Sequence, residues 1–484
     1  MMKTAAELAG TTLRAQVAVI GSGAGGAVAA TRLAEMTQDE ASMLPRLMQE
    51  EGRRTTHDQS ISILQGRSLG GGTYHNTGLC VPVSERTWKQ WSTEAAVPAS
   101  YAEFEPDLRA VMDAIGARRA DADEINDNNR ILQHGAEGLG WSAFVSHHNR
   151  SRCSGCGFCT LGCAYNRKWS TVHAFLPDGV AAGLRIVVDA EVVRLRAHDQ
   201  RWTLETRAGV RVTADRVIVS AGAIHTPLLL REAGVRAPAI GDGLRLHPFA
   251  PVGARFGDEV VAWRGVPQTV IVDAFASGSN EHGGYLLIGA SAQPGIASIM
   301  SATHGSDHRA QMQQLRHCAM GGVLVHDEAR GSVRRRWGRP QVRYWPSPRD
   351  VAALREGVTR LATLYFEMGA EEVFLPFREF ARVDSPSQLE AIERVPIRPH
   401  SVILGSVHPQ GTCAMGADRK RAAVGEDGGV FGAPGLYVAD TSLFPSSIGI
   451  PPQVTTMALG RRIADRLADR LTSQHGNTQR RAES

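Results

Sequence analysis

The sequence lacks any apolar run long enough to cross a membrane as a helix. The nearest candidate, from Val17 to Leu33, is interrupted by four glycines and carries Arg32. The N-terminus also lacks a basic region followed by an apolar block and a small-residue cleavage site, so no secretory signal is expected. These two absences predict a cytoplasmic protein without a transmembrane segment.

A strong excess of either charge is missing as well. The formal net charge is +4, and the basic residues are scattered except at 334–336 and in the C-terminal tail. Nucleic-acid binding is therefore not expected. The composition is 43% hydrophobic over 484 residues, which is enough for a large core in two or three domains.

The seven cysteines do not suggest a disulfide framework, because the number is odd and four of them fall within eleven residues. These four, Cys153, Cys156, Cys159 and Cys163, follow the spacing C-x2-C-x2-C-x3-C of bacterial ferredoxins. However, Ala164 replaces the usual proline, and no second run exists to share a second cluster. An iron–sulfur cluster, a structural zinc site and free thiols all remain open from the spacing.

A short apolar strand, 17–20, leads into the glycine pattern Gly21-Ser-Gly23-Ala-Gly-Gly26 and then into an Ala- and Leu-rich helix, 27–35. This order of strand, glycine turn and helix predicts a dinucleotide-binding unit. Similar strands follow far along the chain at 211–220 and 436–440. Three such strands from distant positions predict one doubly wound α/β domain interrupted by insertions.

The second strand of such a unit, which normally ends in a ribose-binding Asp or Glu, is missing. The segment 36–52 is polar, contains Pro45 and is predicted to be helical. Glu50 and Glu51 lie at a suitable distance along the chain, but nothing β-like precedes them. Either the protein has lost the strand, which would weaken adenosine binding, or a segment is missing from this sequence.

Two further motifs complete the pattern. The run Gly66-Arg-Ser-Leu-Gly-Gly-Gly-Thr-Tyr-His75-Asn76 offers a glycine-rich backbone surface for a flat ring or a pyrophosphate. The C-terminal region reads HPQGTCAMG from His408, then GLYVADTSLFP, then GIPPQVTTMAL. Together with the N-terminal glycine pattern, these motifs resemble the glucose-methanol-choline (GMC) family of flavin oxidoreductases. In character the chain is most similar to long-chain alcohol oxidases and related bacterial alcohol dehydrogenases.

The resemblance implies an FAD-dependent oxidoreductase that acts on CH–OH groups and converts an apolar alcohol to an aldehyde or ketone. It also implies an α/β fold, in which a doubly wound, Rossmann-like FAD-binding domain carries an inserted α+β substrate domain. The expected boundaries are 14–81, 178–249 and 401–472 for the FAD-binding domain, 82–177 and 250–400 for the substrate domain, and 473–484 for a flexible tail.

The resemblance assigns the catalytic role to His408, which takes the hydroxyl proton while hydride passes to flavin N5. Relatives place a His or Asn opposite this base, but the aligned residue here is Pro451, which has no side-chain donor. Gln453, His408 alone or a group from the insertions would then have to stabilise the substrate oxygen. The acceptor of the electrons is expected to be oxygen, an electron-acceptor protein or a quinone.

Cofactor-binding positions follow from the glycine patterns and the resemblance. They are Gly21, Gly23, Ala24, Gly25, Gly26, Gly70, Gly71, Gly72, Thr73, His75, Asn76, Val192, Ala221, Asp440 and Thr441. His75 matches the histidine that binds flavin covalently in choline oxidases, and stacking beside the ring is the alternative. For Asp440 and Thr441 the alternative is a helix cap.

Two other functions remain open at this stage. A cluster at Cys153–Cys163 would make the protein an iron–sulfur and flavin electron-transfer dehydrogenase. Loss of the second strand, together with Pro451, would instead suit a catalytically impaired relative.

Overall fold

Three parallel strands from distant parts of the chain lie side by side in the computed structural model. The structure describes residues 2–482 except 22, 24–38, 98, 200, 282 and 292, and side chains as far as 473. The strands are β1 (Met2–Thr4), β2 (Thr12–Ile20), β3 (Ile61–Ile63), β4 (Leu79–Cys80), β5 (Arg118–Arg119), β6 (Ala143–Val145), β7 (His147–His148), β8 (Ile186–Val188), β9 (Val192–His198), β10 (Arg201–Thr206), β11 (Arg211–Val219), β12 (Asp242–Leu244), β13 (Phe249–Arg255), β14 (Val270–Val272), β15 (Tyr285–Gly289), β16 (Cys318–Val325), β17 (Gly331–Arg336), β18 (Arg339–Arg343), β19 (Glu372–Phe377), β20 (Phe380–Val383), β21 (Leu404–Ser406) and β22 (Leu436–Val438).

The helices lie between these strands along the chain and at its C-terminal end. They are α1 (Glu40–Leu47), α2 (Gly72–His75), α3 (Glu85–Glu94), α4 (Tyr101–Ala114), α5 (Asp127–Gly138), α6 (Thr171–Ala174), α7 (Leu176–Ala181), α8 (Gly222–Glu232), α9 (Pro294–Ile299), α10 (Gly305–Gln313), α11 (Pro348–Glu367) and α12 (Gln453–Ala482). Within the described part of the chain, no helix combines the length and apolar character needed to cross a membrane.

The nucleotide-type sheet is built around β11. Strand β2 runs parallel to it from Thr12 opposite Arg211 to Ile20 opposite Val219. On its other side β11 pairs with β10 along its first half and, in parallel, with β22 along its second half. The carboxyl ends of β2, β11 and β22 therefore share one edge, as expected for a doubly wound sheet. This confirms the predicted α/β class and the joining of distant strands.

A second, larger sheet forms the other half of the molecule. Its order is β20-β19-β13-β16-β15-β14-β6, and β21 adds to β13 and joins β3 in parallel. The pairs along this order are antiparallel. Helix α11 packs on the sheet and buries Leu354, Val358, Leu361 and Tyr365 in its core. These buried residues recur at intervals of three and four along α11, the pattern of an amphipathic helix.

Part of the segment 82–177, which was predicted for the substrate domain, shares a buried cluster with the nucleotide-type sheet. Trp88 and Trp91 of α3 and Phe104 of α4 belong to the same buried cluster as Val217 and Val438. Trp88 stacks on Phe104 with ring centroids 4.0 Å apart. Packing of the apolar aromatic rings determines this arrangement, and the sequence does not indicate which sheet the rings contact.

At the chain end, α12 continues to Ala482, within the segment that was predicted to be a flexible tail. No proline follows Pro452, and Arg, Ala and Gln favour continued helix. In the region of the missing strand, residues 39–60 hold α1, a 3-10 turn and two isolated bridges. Glu50 is paired with the buried Arg54 at 2.8 Å, so its carboxylate already has a partner.

Candidate functional site

The edge at which β2 and β11 end is lined by two close backbone approaches. A Cβ on Gly21 would lie 2.1 Å from the carbonyl oxygen of Ser220, and a Cβ on Gly71 would lie 2.9 Å from Cα of Gly23. Both glycines have positive φ, 109° at Gly21 and 49° at Gly71. A side chain at Gly21 or Gly71 would clash with backbone atoms. Bare backbone therefore lines this edge of the sheet, which we call the cleft. The predicted positions Ala24, Gly25 and Gly26 lie outside the described residues.

His75 ends the short helix α2 in this cleft and is 5% exposed. Its Nε2 is hydrogen-bonded to Ser68 Oγ, whereas its Nδ1 is buried without a hydrogen-bond partner among the described residues. Burial and, to a smaller extent, the charge of Lys168 lower the pKa of His75 to about 3. The ring is therefore neutral, and an unpartnered buried nitrogen is the kind of atom that a bound group satisfies.

Other polar side chains of this turn hold the turn itself. Thr73 Oγ1 donates to the Gly70 carbonyl at 2.7 Å and lies 2.9 Å from Thr171 Oγ1. Asn76 accepts from the Gly78 amide at 3.0 Å and donates to Gln453 Oε1 at 2.7 Å. A Cβ on Gly70 would lie 2.7 Å from the side chain of Val172, and one on Gly72 would meet nothing within 4 Å.

Gln453, the first residue of α12, is fully engaged. Its Oε1 accepts from Asn76, and its Nε2 donates to the Leu79 carbonyl at 2.6 Å and to Cys80 Sγ at 3.4 Å. It is 7% exposed. The side chain therefore fastens the start of α12 to the strand after the His75 turn, and it has no free donor for a substrate oxygen in this arrangement. Pro451 is buried beside it and offers no donor either.

Asp440 lies at the end of β22 and caps two helical turns. Its carboxylate accepts from the Gly222 amide at 2.9 Å, the Ser442 amide at 2.8 Å and the Thr226 hydroxyl at 2.5 Å. Burial raises the pKa of this carboxyl group. The geometry matches the helix-cap alternative of the sequence.

Of the remaining predicted positions, Thr441 and Ala221 follow the carboxyl ends of β22 and β11, whereas Val192 is level with the start of β11 through β10. Thr441 Oγ1 donates to the Pro409 carbonyl at 3.0 Å, which ties the edge to the loop that carries His408. Ala221 is the residue before α8, and Val192 begins β9; both are partly buried.

His408 is held by a loop that follows β21. Gln410 donates from Nε2 to the His408 carbonyl at 3.1 Å and accepts the Ile448 amide at 3.0 Å. Gln410 also pairs with Arg245 through two backbone hydrogen bonds of 3.0 Å. The side chain of His408 is partly buried, and its Nδ1 lies 3.2 Å from Nδ1 of His247.

His247 is fully buried, and the sequence did not predict a role for it. Its backbone has a φ of 56°, a conformation uncommon for residues other than glycine. Buried Asp327 holds that backbone, because it accepts from the Leu246 amide at 3.0 Å, the His247 amide at 3.2 Å and the Tyr344 hydroxyl at 2.7 Å. The only sequence signal is a histidine before Pro248, which is weak by itself.

The two facing nitrogens can share one proton, so one ring donates and the other accepts. Burial and the charge of His326 lower the pKa of His247 to about 3, against the smaller opposing effect of the Gly449 carbonyl. Nε2 of His247 is buried without a hydrogen-bond partner among the described residues, so the tautomer is our assignment and not an observation: with the proton of His408 on Nδ1, Nδ1 of His247 accepts it. Burial and the nearby His247 hold the pKa of His408 well below its usual value. His408 is then neutral, with a free lone pair on Nε2.

The four clustered cysteines do not converge. Among the described residues, no group of three or more His, Cys, Asp or Glu side chains is arranged to hold a metal ion. None of these four cysteines forms a disulfide bond, and all four are partly exposed. Cys153 Sγ accepts the Gly155 amide at 3.4 Å, and Cys163 Sγ accepts the Arg167 amide at 3.2 Å. The geometry of the described residues gives no support to the iron–sulfur or zinc alternatives.

Comparison with known proteins supports the reading of the fold and motifs. Models of the GMC oxidoreductase family match residues 44–249 with the N-terminal part and residues 327–460 with the C-terminal part. An uncharacterized GMC-type oxidoreductase of Mycobacterium tuberculosis is 32% identical, over 93% of this chain and 75% of that protein. A long-chain-alcohol oxidase of Arabidopsis thaliana is 26% identical, over 94% of this chain and 69% of that protein.

Solved structures share the fold at lower identity. Pyridoxine 4-oxidase from Mesorbium loti has a TM-score of 0.67 and 18% identity, over 93% of this chain and 98% of that one. A formate oxidase variant of Aspergillus oryzae RIB40 has a TM-score of 0.66 and 15% identity, over 94% and 98% of the two chains. At such identities the likeness establishes the architecture alone.

Proposed function

The chain belongs to the GMC family of flavoprotein oxidoreductases, and on that premise we propose that it is an FAD-dependent enzyme that oxidises the CH–OH group of an apolar alcohol to an aldehyde or ketone. The observation that carries the proposal is the pair His408 and His247, with Nδ1 atoms 3.2 Å apart. This pairing leaves the neutral Nε2 of His408 free, as a base for an alcohol requires.

The described residues fit a flavin. The approaches of Gly21 to Ser220 and of Gly71 to Gly23 provide bare backbone, which suits a pyrophosphate and the edge of a flat ring. The buried, unpartnered Nδ1 of His75 provides a polar atom at the same cleft. When bound, the flavin supplies a hydride acceptor. The glycine loops would hold its phosphates, and the turn that ends at His75 would hold its ring.

His408 performs the proton chemistry. It takes the hydroxyl proton of the substrate at Nε2, while the hydride leaves the substrate carbon. Its Nδ1 proton stays on His408 and is donated to Nδ1 of His247, which fixes the ring orientation and tautomer. The positive charge that forms on His408 is next to a lone pair of His247, so the hydrogen bond strengthens as the proton arrives.

The substrate oxygen has few other partners. Pro451 offers no donor, and the amide of Gln453 is already bonded to Leu79 and Asn76. The protonated His408 is therefore the main group that stabilises the developing alkoxide. Binding energy must then come from the rest of the substrate, and this favours a molecule with a large apolar part. Val407, beside the base, is 57% exposed and offers an apolar surface.

The substrate class rests on this arrangement and on the long-chain-alcohol oxidases among the relatives. The test is turnover of a series of primary alcohols from ethanol to hexadecanol, with oxygen and with an artificial dye as acceptors. The proposal requires kcat/KM to rise with chain length. A flat series, or activity only with short polar alcohols, would refute the apolar substrate. Peroxide formation with oxygen identifies an oxidase, and activity restricted to the dye identifies a dehydrogenase.

Attachment of the flavin through His75 is a separate hypothesis. Acid precipitation of the purified protein separates the two cases, because a covalent flavin stays with the pellet and a noncovalent one moves to the supernatant. His75→Ala must release the flavin if attachment occurs there. Retention in the pellet of that variant would assign the bond to another residue.

An iron–sulfur dehydrogenase is the alternative function, and it depends on Cys153, Cys156, Cys159 and Cys163. Iron and acid-labile sulfide in anaerobically purified protein would establish it. A value near zero for both leaves flavin as the redox centre of this chain.

A further inference from the structure

Two cations are buried behind the turn that carries His75. Lys168 and Arg150 are each 3% exposed. Lys168 Nζ donates to the carbonyls of Tyr74 at 2.8 Å, Asn76 at 2.5 Å and Cys159 at 3.1 Å. These three bonds use all three donors of an ammonium group.

Arg150 contacts the next residues of the same turn. Its Nη2 donates to the Thr77 carbonyl and to Nδ1 of His148, the latter at 2.7 Å. Its Nη1 lies 3.8 Å from Cys153 Sγ, and its Nε is buried without a partner. The carbonyls of residues 74, 76 and 77 thus all accept from one of the two cations.

Among the described residues, no carboxylate is hydrogen-bonded to either cation. Glu124 is a carboxylate in electrostatic range of Arg150: against the effect of burial, its pKa is lowered by its hydrogen bond to Arg118, at 2.6 Å, and to a smaller extent by the charge of Arg150. The hydrogen-bond partners of Lys168 and Arg150 are carbonyl oxygens, an imidazole nitrogen and a thiol sulfur. Buried charges are normally paired, because removing them from water is costly. The charges of Lys168 and Arg150 thus lie together without a carboxylate in direct contact, an arrangement that favours negative charge nearby.

The nearby thiols are the alternative source of negative charge. Burial raises the pKa of the Cys156 thiol, which favours its neutral form. Of the three hydrogen bonds of Lys168, two go to the carbonyls of Tyr74 and Asn76 in the turn that carries His75, and one goes to the Cys159 carbonyl. Lys168 acts electrostatically on that turn, since its charge contributes to the lowered pKa of His75.

We propose that Lys168 and Arg150 form a positive platform behind the flavin ring, which stabilises the negative charge that the ring gains on accepting hydride. The inference rests on the proposed function. In that reaction the alcohol loses two electrons and one hydrogen as hydride to the neutral flavin, and its hydroxyl proton goes to His408. The flavin therefore gains one negative charge, and a positive field raises its reduction potential. Lys168 and Arg150 are positioning residues, and they act on the flavin through the turn.

The test is the midpoint potential of the bound flavin, measured by spectroelectrochemistry on the purified holoprotein. Lys168→Gln keeps hydrogen-bond donors and removes the charge, whereas Lys168→Arg keeps the charge. Arg150→Gln and Arg150→Lys repeat the comparison at the second site. Lys420→Gln, at an exposed lysine, is the matched control.

The platform predicts that each Gln variant at Lys168 or Arg150 lowers the midpoint potential of the flavin by about 30 mV or more. For a two-electron couple this is a loss of tenfold or more in the equilibrium constant for reduction. The charge-keeping variants and the control should stay near the wild-type value. An unchanged potential in a flavin-loaded Gln variant overturns the proposal, as does an equal fall in the charge-keeping variant of the same site.

If one Gln variant does not fold, the other pair decides by the same criteria. Loss of flavin from both Gln variants also contradicts the platform, because a charge that serves the reduced state is not needed to hold the oxidised flavin. A wild-type protein that contains no flavin would instead refute the proposed function, so the two failures are distinguishable.

Discussion

The partnership of His247 with His408 makes a quantitative prediction. His247→Ala removes the acceptor for Nδ1 of His408 and leaves the backbone amide of residue 247 bonded to Asp327. A hydrogen bond to a charged group contributes about 1.5–3 kcal/mol, and here it is strongest when His408 carries the substrate proton. The loss falls on the transition state, so kcat should drop by about 10- to 100-fold with little change in KM.

His247→Asn is the matched variant. Its side-chain oxygen can occupy the place of the lost Nδ1, and Asn tolerates the left-handed backbone at φ 56° better than most residues. Activity should therefore return to within a few-fold of wild type. The assay is the anaerobic rate of flavin bleaching by a saturating alcohol, with flavin content measured in each variant. Equal rates in the Ala variant and wild type, at full flavin loading, would refute the role of His247.

Three other predictions follow from single contacts. Burial holds the pKa of His408 well below its usual value, so the base stays deprotonated as pH falls. The acid limb of the pH profile of kcat/KM should therefore lie below about pH 6.5. An acid limb at or above that pH contradicts the assignment. Gly71→Ala places a Cβ 2.9 Å from Gly23 at positive φ and should abolish flavin retention, read from the 450 to 280 nm absorbance ratio. Gly138→Ala, in α5 and away from the proposed site, meets nothing within 4 Å and should retain the flavin. Gln453→Met removes buried hydrogen bonds and should lower the free energy of unfolding by about 1–3 kcal/mol in a denaturant titration; an unchanged midpoint would show that this amide does not hold α12.

The nucleotide-type sheet could be predicted because its signals are local. Each of its three parallel strands is an apolar run followed by glycine or Asp, and parallel strands of this kind are joined by a known topology. The motif around His408 could be predicted for the same reason. Covalent neighbours carry these signals, so a single sequence is enough to find them.

The partners of those motifs could not be predicted. His247 meets His408 across 161 residues of chain, and Lys168 meets Tyr74 across 94. Neither pair leaves a periodic or spacing pattern, because the contact depends on how two sheets pack. For Gln453 the motif predicted a role in stabilising the substrate oxygen. In the structure its amide instead bonds Asn76 and Leu79 and holds the start of α12.

The measurement that tests the central claim most directly is anaerobic mixing of a long-chain alcohol with the wild type and with His408→Ala, followed at the visible flavin bands. The account predicts flavin bands in both proteins, bleaching in the wild type, and bleaching slower by about 10²- to 10⁴-fold in the variant, the usual contribution of a general base. Equal bleaching rates would remove His408 from the reaction, and a wild-type protein without flavin bands would contradict the assignment of the chain as a flavin-dependent alcohol oxidoreductase.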